Sequence, residues 1–284
     1  MKLSKILKGA ALTGGVLLAA KGLDDRLEIT HYSIGSEKIP SGFDGLKILQ
    51  ISDLHAQKVP GIISEVKGEA PDIIVLTGDF VHDTGSYAPS LSLAERLTKI
   101  APVFSVTGNH DVRRTDFSDY RKALIKTGVK DIDNSSVTLK KSGAEITLSG
   151  ISDPFSEHGG TIASNILNSA RKIKKTDNYH IVLFHRANHA ELLEDFGFDL
   201  ILSGHMHGGQ IRLAGGRGVC SPKSSWGSGA PMLFPKYFGG HYKIGDTDMI
   251  VNRGIGNPMI IPRLFNRPEI TVIVLKSKKS AINC

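Results

Sequence analysis

Short apolar runs alternate with amphipathic segments through most of the chain. Five runs have the length of a strand and are rich in β-branched residues, and their nearly continuous hydrophobicity predicts strands buried on both faces. They span residues 46–52, 72–77, 102–107, 179–184 and 198–203. Helical periodicity marks the segments 60–69, 89–99, 117–127, 161–173 and 187–196. This alternation predicts a layered α/β domain.

Each of the five predicted strands runs directly into a set of polar residues. The sets are Asp53 with His55, Asp79, Asn109 with His110, His185, and His205 with His207. Ligands of such sheets gather beyond the carboxyl ends of the strands, so we expect these side chains to meet. Buried carboxylates and imidazoles are costly without a partner, which favours a metal over a hydrogen-bonded network without one. Nitrogen and oxygen donors without cysteine suit Mn²⁺, Fe²⁺ or Zn²⁺.

Composition and charge exclude some alternatives. The 284 residues are 40% hydrophobic and 22% charged, which is typical of a globular protein with a core. The first 21 residues hold four lysines and no acid, so they carry four of the net seven positive charges and leave +3 for the rest. We therefore expect no specific nucleic-acid partner. The two cysteines, Cys220 and Cys284, are too far apart to indicate a disulfide framework or a zinc knuckle.

The N-terminus predicts a membrane anchor or a signal segment. Three lysines precede an apolar stretch over residues 9–20, which is short for a full membrane span. Leu18 would occupy the −3 position for cleavage after Ala20, which favours an uncleaved anchor over a cleaved signal, with a frayed amphipathic helix as the third alternative. The lysines favour an inside N-terminus, which would place the bulk of the chain outside the cytoplasm. The expected organisation is an anchor or signal over 1–22, one domain over 26–276 and a basic tail over 277–284.

Taken together, the polar sets resemble the calcineurin-like metallophosphoesterase family, whose motifs run D-x-H, G-D, G-N-H-[DE], H and G-H-x-H. The chain has SDLH, TGDF, TGNHD, LFHR and SGHMHGG in that order, with the polar residues spanning 53–207. The resemblance implies a four-layer α/β/β/α sandwich, in which two mixed β-sheets pack face to face with helices outside. It also implies a metal-dependent phosphoric ester hydrolase.

The resemblance further implies two divalent metal ions (Mn, Fe or Zn) and a ligand set for each. The first set is Asp53, His55, Asp79 and His207. The second is Asp79, Asn109, His185 and His205, with Asp79 bridging. Two such ions, roughly 3.5–4 Å apart, can share a hydroxide that attacks phosphorus in line.

Four further residues are candidates for roles beside the metals. By the same resemblance His110 lies beside the scissile phosphate, where it would protonate the leaving oxygen or stabilise charge, and Asp111 would orient it. The alternative for His110 is a loop-capping role. Asp153 follows another predicted strand, 144–151, and could contact substrate. Arg253 could face the phosphate or brace its loop, and both alternatives stay open.

Two loop regions are less informative. His82 and Asp83, just after Asp79, could line the groove, but a solvated loop is the favoured interpretation. Residues 213–240 are rich in Gly, Ser and Pro and include Trp226, Phe234, Tyr237 and Phe238. Long irregular loops are usually functional or mobile. These aromatic side chains could meet a lipid or a nucleotide, or could close over the sheet edge.

The expected substrate class follows from the combination of anchor and site. The stretches GHMHGGQIRL, FPKYFGGHY and VNRGIG are similar to a bacterial subgroup with an N-terminal membrane or export segment, which includes cell-wall phosphoesterases and UDP-diacylglucosamine hydrolases. We expect a monomer that hydrolyses phosphomono- or diesters of a lipid-linked or cell-envelope substrate. The alternatives are a phosphodiesterase acting on soluble nucleotide-type substrates and a non-catalytic metal-binding scaffold.

Overall fold

The computed structural model describes residues 21–278 except 158, 214, 224–230 and 259. Most of the expected anchor and tail segments, and Trp226, lie outside the described residues. In the part of the chain that is described, no helix has the length and apolar character needed to cross a membrane.

The described residues form strands and helices in alternation. The strands are β1 Glu28–Ser36, β2 Lys47–Ile51, β3 Ile73–Thr77, β4 Val103–Val106, β5 Lys130–Asp131, β6 Ser135–Lys141, β7 Ala144–Ile151, β8 His180–Arg186, β9 Leu200–Gly204, β10 Cys220–Lys223, β11 Pro231–Leu233, β12 Gly240–Ile244, β13 Thr247–Val251 and β14 Glu269–Ser277. The α-helices are α1 Ile62–Glu69, α2 Ala88–Leu97, α3 Asn109–Val112, α4 Phe117–Lys126 and α5 Ile162–Lys172. Turns of 3-10 helix cover Ser41–Phe43, Pro154–Ser156, Ala187–Phe196 and His207–Gly209.

Two mixed six-stranded sheets make up the centre of the fold. The first sheet has the order β1-β14-β2-β3-β4-β5, and the second has the order β12-β13-β9-β8-β7-β6. Strands β2 to β5 are parallel to one another, and so are β7, β8, β9 and β13. The strands that precede the polar sets therefore end at the same edge of each sheet.

The alternation of side chains along each strand explains why both faces of both sheets are buried. Ile48 and Leu202 lie in an apolar layer between the two sheets, whereas their neighbours Leu49 and Ile201 point to outer layers. The outer layers are covered by α1, α2 and α4 on the first sheet, and by α5 with 187–196 on the second. Each such buried aliphatic side chain contributes roughly 1.5–3 kcal/mol. The architecture is the expected four-layer sandwich of two mixed sheets.

The five strands and the segments between them lie where the sequence predicts them, with ends that differ by no more than about two residues. One helix differs in type, because Ala187–Phe196 is 3-10 rather than α. Its buried residues are Ala187, Ala190 and Leu193, and this spacing of three is the period of a 3-10 helix.

Candidate metal centre

The polar sets of the two sheets meet at the seam between them. Asp53 and His55 follow β2, Asp79 follows β3, and Asn109 opens α3 just after β4. From the second sheet come His185, near the end of β8, and His205 and His207, just after β9. Ligand atoms lie within 4.8 Å of one another in the group Asp53, His55 and His207, and also in the group Asp79, His185 and His205. The structure thus brings these sequence-predicted donors together in two adjoining clusters.

In the first cluster, two imidazoles and a carboxylate converge. Nε2 of His55 and Nε2 of His207 lie 3.3 Å apart, and Oδ1 of Asp53 is 3.4 Å from the latter. The other oxygen of Asp53, Oδ2, accepts hydrogen bonds from Ser52 Oγ (2.6 Å) and from the backbone N–H of His205 (3.0 Å). One side of the carboxylate is therefore fixed, and the other faces the two imidazoles.

The second cluster is centred on Asp79. Its Oδ1 accepts the backbone N–H of His110 at 2.7 Å, while Oδ2 lies 3.1 Å from Nε2 of His185. His185 Nδ1 donates to the carbonyl of Thr77 at 2.8 Å, and this bond fixes the orientation of the ring. The other ring nitrogen, Nε2, therefore points toward Asp79. A backbone carbonyl behind a ligand imidazole is a common arrangement at metal sites.

Several buried polar atoms of the two clusters have no hydrogen-bond partner among the described residues. They are Asp53 Oδ1, His55 Nδ1 and Asn109 Oδ1. Such atoms cost free energy unless a ligand satisfies them. Carboxylate, amide and imidazole groups are the donors that small divalent metals prefer. The residues present fit a metal centre.

The backbone at the clusters is strained. Five of the seven donor residues have positive φ values: Asp53 (51°), His55 (52°), Asp79 (51°), His205 (74°) and His207 (47°). A left-handed conformation costs on the order of 1–3 kcal/mol for such residues and persists only where the surroundings impose it. The fold therefore holds these side chains in place at the expense of stability.

Two glycines allow the loops to approach so closely. A Cβ atom at Gly204 would lie 1.8 Å from Ser52 Oγ and 2.4 Å from Asp53 Oδ2. A Cβ atom at Gly108 would lie 2.3 Å from Asp79 Oδ1. The glycines of the GH and GN motifs are thus required by the packing of the carboxylates.

Burial keeps most of the imidazoles neutral. It lowers the pKa of His55 and of His205 well below the usual value, and it lowers the pKa of His207 to about 4. Neutral imidazole is the form that can bind a metal. Burial also opposes the charged form of His185, but the Asp79 carboxylate outweighs it and raises the pKa of His185 to about 10. A cation at Asp79 would take the place of that proton.

His110 lies over the first cluster, but its partner is not the expected one. Its ring packs edge-on against His55 at 4.7 Å, and its Nδ1 contacts the carboxylate of Asp83. Asp111 instead accepts backbone N–H groups from Asp79 (2.7 Å), Gly108 (2.8 Å) and Val81 (3.1 Å). Asp111 therefore positions the loop that carries Asp79, which corrects the expected pairing with His110.

In the loop after Asp79, the contacts of His82 and Asp83 favour the groove-lining alternative over a fully solvated loop. The ring of His82 lies 5.0 Å from that of His110, and the two residues join Asp83 in one cluster of potential ligands. The sequence does contain a signal for this placement. In the motif GDFVHD, His82 and Asp83 follow Asp79 by three and four positions, so they lie close to the site along the chain.

The two residues suggested for substrate contact are engaged elsewhere. Arg253 Nη2 pairs with Glu28 at 2.8 Å and with Glu269 at 3.0 Å, so Arg253 braces the ends of β1 and β14. Asp153 is fully buried and binds the guanidinium of Arg186 through two contacts of 2.6 and 3.1 Å. Both side chains are held by ion pairs inside the protein, which corrects the substrate contact suggested for Asp153 and favours the bracing alternative for Arg253.

Sequence reasoning missed Arg263. Its Nη2 lies 3.3 Å from Nδ1 of His207 and donates to the carbonyl of Gly256 at 2.6 Å. Nε and Nη1 are buried without a hydrogen-bond partner among the described residues. Burial lowers the pKa of Arg263 to about 10, so the group stays cationic at neutral pH. No periodic or motif signal connects it to His207, which lies 56 positions earlier.

Comparison with known proteins agrees with this geometry. Residues 46–209 match the family described as calcineurin-like phosphoesterase, and this span contains all seven donor residues. The chain belongs to the calcineurin-like phosphoesterase family. This phosphoesterase is a metal-dependent phosphoester hydrolase of a family that uses two metal ions, and its described residues supply candidate donors for them.

Relatives cover nearly the whole chain. The phosphoesterase is 30% identical over 300 residues to the uncharacterized metallophosphoesterase YkuE of Bacillus subtilis, covering 98% of each chain. It is 28% identical over 239 residues to the phosphodiesterase YaeI of Escherichia coli, covering 81% of this chain and 82% of YaeI. The crystal structure of TT1561 of Thermus thermophilus superposes with a TM-score of 0.50 at 12% identity, covering 74% of this chain and 90% of that one. The last likeness concerns the fold alone.

Proposed function

We propose that this phosphoesterase holds two divalent ions through seven residues and hydrolyses phosphodiesters, and also phosphomonoesters, at that centre. The observation that carries the proposal is the position of Asp79. Its carboxylate belongs to one potential ligand group with His55 and His110, and to another with His185 and His205. Asp79 thus lies within reach of His55 from the first cluster and of both imidazoles of the second, which is the position that a carboxylate bridging two ions requires.

The donors divide between the two ions as follows. Asp53, His55 and His207 form the first set with Asp79, and Asn109, His185 and His205 form the second with Asp79. When bound, the ions would lower the pKa of water and neutralise phosphate oxygens. Asp111 keeps the backbone of Asp79 in place through its three N–H contacts, and Thr77 orients His185.

His110 would serve the leaving group. It is partly exposed, with 19% of its side chain accessible, and it lies against His55 at the entrance to the first cluster. Because Asp83 occupies Nδ1, Nε2 is the atom available to protonate a leaving oxygen or to stabilise charge on phosphorus. Arg263 lies behind His207 and adds a fixed positive charge to the site.

The substrate would be a lipid-linked or cell-envelope phosphoester, and the protein a membrane-associated monomer with its catalytic domain outside the cytoplasm. The N-terminal lysines before the apolar stretch 9–20 support the location. The name phosphodiesterase carried by the relative YaeI supports diester cleavage. Fractionation of cells expressing the full chain tests the location, and recovery of the protein wholly from the cytosol would refute it.

Metal analysis with activity tests the centre. The Asp79→Asn variant should lose turnover of bis(p-nitrophenyl) phosphate and most of its bound metal, whereas His55→Ala should mainly empty one site. Addition of Mn²⁺, Zn²⁺ or Mg²⁺ to the stripped parent identifies the ion that restores turnover. Two ions per chain in purified Asp79→Asn would refute the bridging role, and metal binding without turnover of any mono- or diester would point to the scaffold alternative.

A further inference from the structure

Exposed apolar side chains are concentrated on one part of the surface. Of the nine large hydrophobic residues exposed in the described chain, six form what we call the apolar platform: Leu23, Leu213, Phe234, Ile260, Ile261 and Phe265. Ile260 is fully exposed, and the other five are 39–53% exposed. Contiguous exposed apolar surface of this kind marks an interaction site.

Backbone hydrogen bonds tie the segments of the platform side by side. They link Phe265 N–H to Gly22 C=O (2.6 Å), Arg212 N–H to Leu264 C=O (2.9 Å), Val219 N–H to Ile211 C=O (2.8 Å) and Phe234 N–H to Val219 C=O (2.8 Å). The first two bonds join segments that are distant in sequence. The platform residues therefore belong to backbone segments that lie side by side, rather than to scattered parts of the surface.

The platform borders the metal centre. The side-chain amide of Gln210 donates to the carbonyl of Ile261, and Asn266 donates to the carbonyl of His207 at 2.7 Å. Arg263, between Ile261 and Phe265, reaches His207 itself. Whatever lies on the platform therefore lies next to the donors that follow β9.

Two further features indicate what covers the platform. The described chain begins at Lys21, which is exposed, and Gly22 contacts Phe265, so the apolar stretch 9–20 joins the domain at the platform. Exposed Arg217 lies 5.2 Å from the ring of Phe234. Cations beside apolar side chains match the headgroups and acyl boundary of an anionic bilayer.

We propose that the apolar platform docks on the surface of an anionic lipid bilayer, so that the metal centre opens at the membrane interface. Docking would act together with the N-terminal segment, because both meet at Gly22. The docking stands apart from the catalytic assignment; only the delivery of membrane phosphoesters to the centre rests on the proposed function.

Depth-dependent quenching in the full-length chain tests the docking. The background variant is Trp226→Phe, which removes the single tryptophan. Ile260→Trp then places a reporter on the platform, and Ile125→Trp places a matched one at an exposed apolar position of α4. Vesicles of phosphatidylcholine and phosphatidylglycerol carry bromine on their acyl chains. We expect at least about twofold quenching at position 260 and none at 125, since only the former enters the acyl boundary.

Other results would overturn the proposal. Co-flotation with vesicles without quenching at 260 would mean that the N-terminal segment alone attaches the protein. Emission at 260 that is already blue-shifted without lipid, and unresponsive to vesicles, would mean that residues 1–20 cover the platform. Ile261→Trp provides a second reporter, so the result does not depend on one variant. Turnover of bis(p-nitrophenyl) phosphate by the same samples reports the proposed function separately, since its loss would leave the quenching unchanged.

Discussion

The carboxylate of Asp83 contacts Nδ1 of His110 and so fixes the ring that lies over His55. The two residues come from different loops, after β3 and after β4. A histidine held at one nitrogen presents the other in a defined direction, as an acid or charge stabiliser needs. This pairing predicts coupled effects of His110 and Asp83 on turnover.

Removal of the His110 imidazole should affect chemistry and not metal binding. His110→Ala should keep the metal content of the parent and lower kcat by roughly 10²–10⁴ on alkyl phosphoesters, which have poor leaving groups. On p-nitrophenyl esters a general-acid role predicts a much smaller loss, because that leaving oxygen needs no proton. Equal losses on both would instead favour stabilisation of the transferring phosphate. Loss of metal together with activity would contradict the assignment.

Asp83 should act through His110. Asp83→Ala should lower kcat by roughly 10–100-fold with little change in KM, because the ring loses its orienting partner. Asp83→Ala should add almost nothing to the loss already caused by His110→Ala, which a double-mutant comparison of kcat measures. Asp116→Ala is the control, since that carboxylate pairs with Arg114 instead. Additive losses would show that Asp83 acts independently of His110.

Gly204 should tolerate no side chain. In Gly204→Ala the new methyl would overlap Ser52 and Asp53, so we expect loss of bound metal and of activity, with a free energy of unfolding lower by about 1–3 kcal/mol or more. Gly68→Ala in α1 is the control, because nothing lies within 4 Å of its Cβ and the change should be neutral or stabilising. Metal analysis and thermal unfolding distinguish them. Full metal occupancy in Gly204→Ala would refute the packing argument.

Asp133 should make the free energy of unfolding depend on pH. Burial, and then the charge of Asp131, raise the pKa of Asp133 from 3.8 to about 7. The folded state therefore holds a proton that the unfolded state has lost between these pH values, so this group makes the free energy of unfolding fall as pH rises from about 4 to 7.

Asp133→Asn imitates the protonated form of the side chain. The variant should therefore lack the fall in the free energy of unfolding between about pH 4 and 7 that Asp133 causes. Because the side chain is only part-buried, we expect the variant to be more stable than the parent by about 1–2 kcal/mol above pH 7, and equal to it below about pH 4. Chemical denaturation at several pH values measures this. Asp119→Asn, at an exposed position on α4, is the control for the loss of a carboxylate. If Asp133→Asn raised the free energy of unfolding by the same amount at every pH, the titration of Asp133 would be excluded as the cause.

The sequence predicted the parts of the site that follow strands, because a buried strand and its terminal ligand are adjacent in the chain. It did so for Asp53, Asp79 and His205 alike. The sequence could not predict contacts between residues that are distant along the chain. Whether Arg253 meets phosphate or protein depends on Glu28 and Glu269, which β1 and β14 bring from opposite ends of the chain.

The same limit applies to the fold. The motif resemblance implied two sheets, yet the pairing of β1 with β14 was not predicted, because it joins residues 28–36 with 269–277. The 3-10 form of 187–196 could have been inferred from the apolar spacing of Ala187, Ala190 and Leu193. The sequence left two alternatives for Asp83, because a short polar loop has the same composition whether it is solvated or packed on a histidine.

The donors come from both sheets, four from the first and three from the second, so bound ions would act as a cross-link between the two halves of the sandwich. Chelation should then loosen the seam where the donors meet, while the apolar layer between the two sheets keeps the halves packed. Amide hydrogen exchange measured with and without chelator should speed up at the ends of β3 and β8, while the outer strands β6 and β12 keep their rates. In this protein the bound ions would therefore stabilise the contact between the two sheets as well as support catalysis.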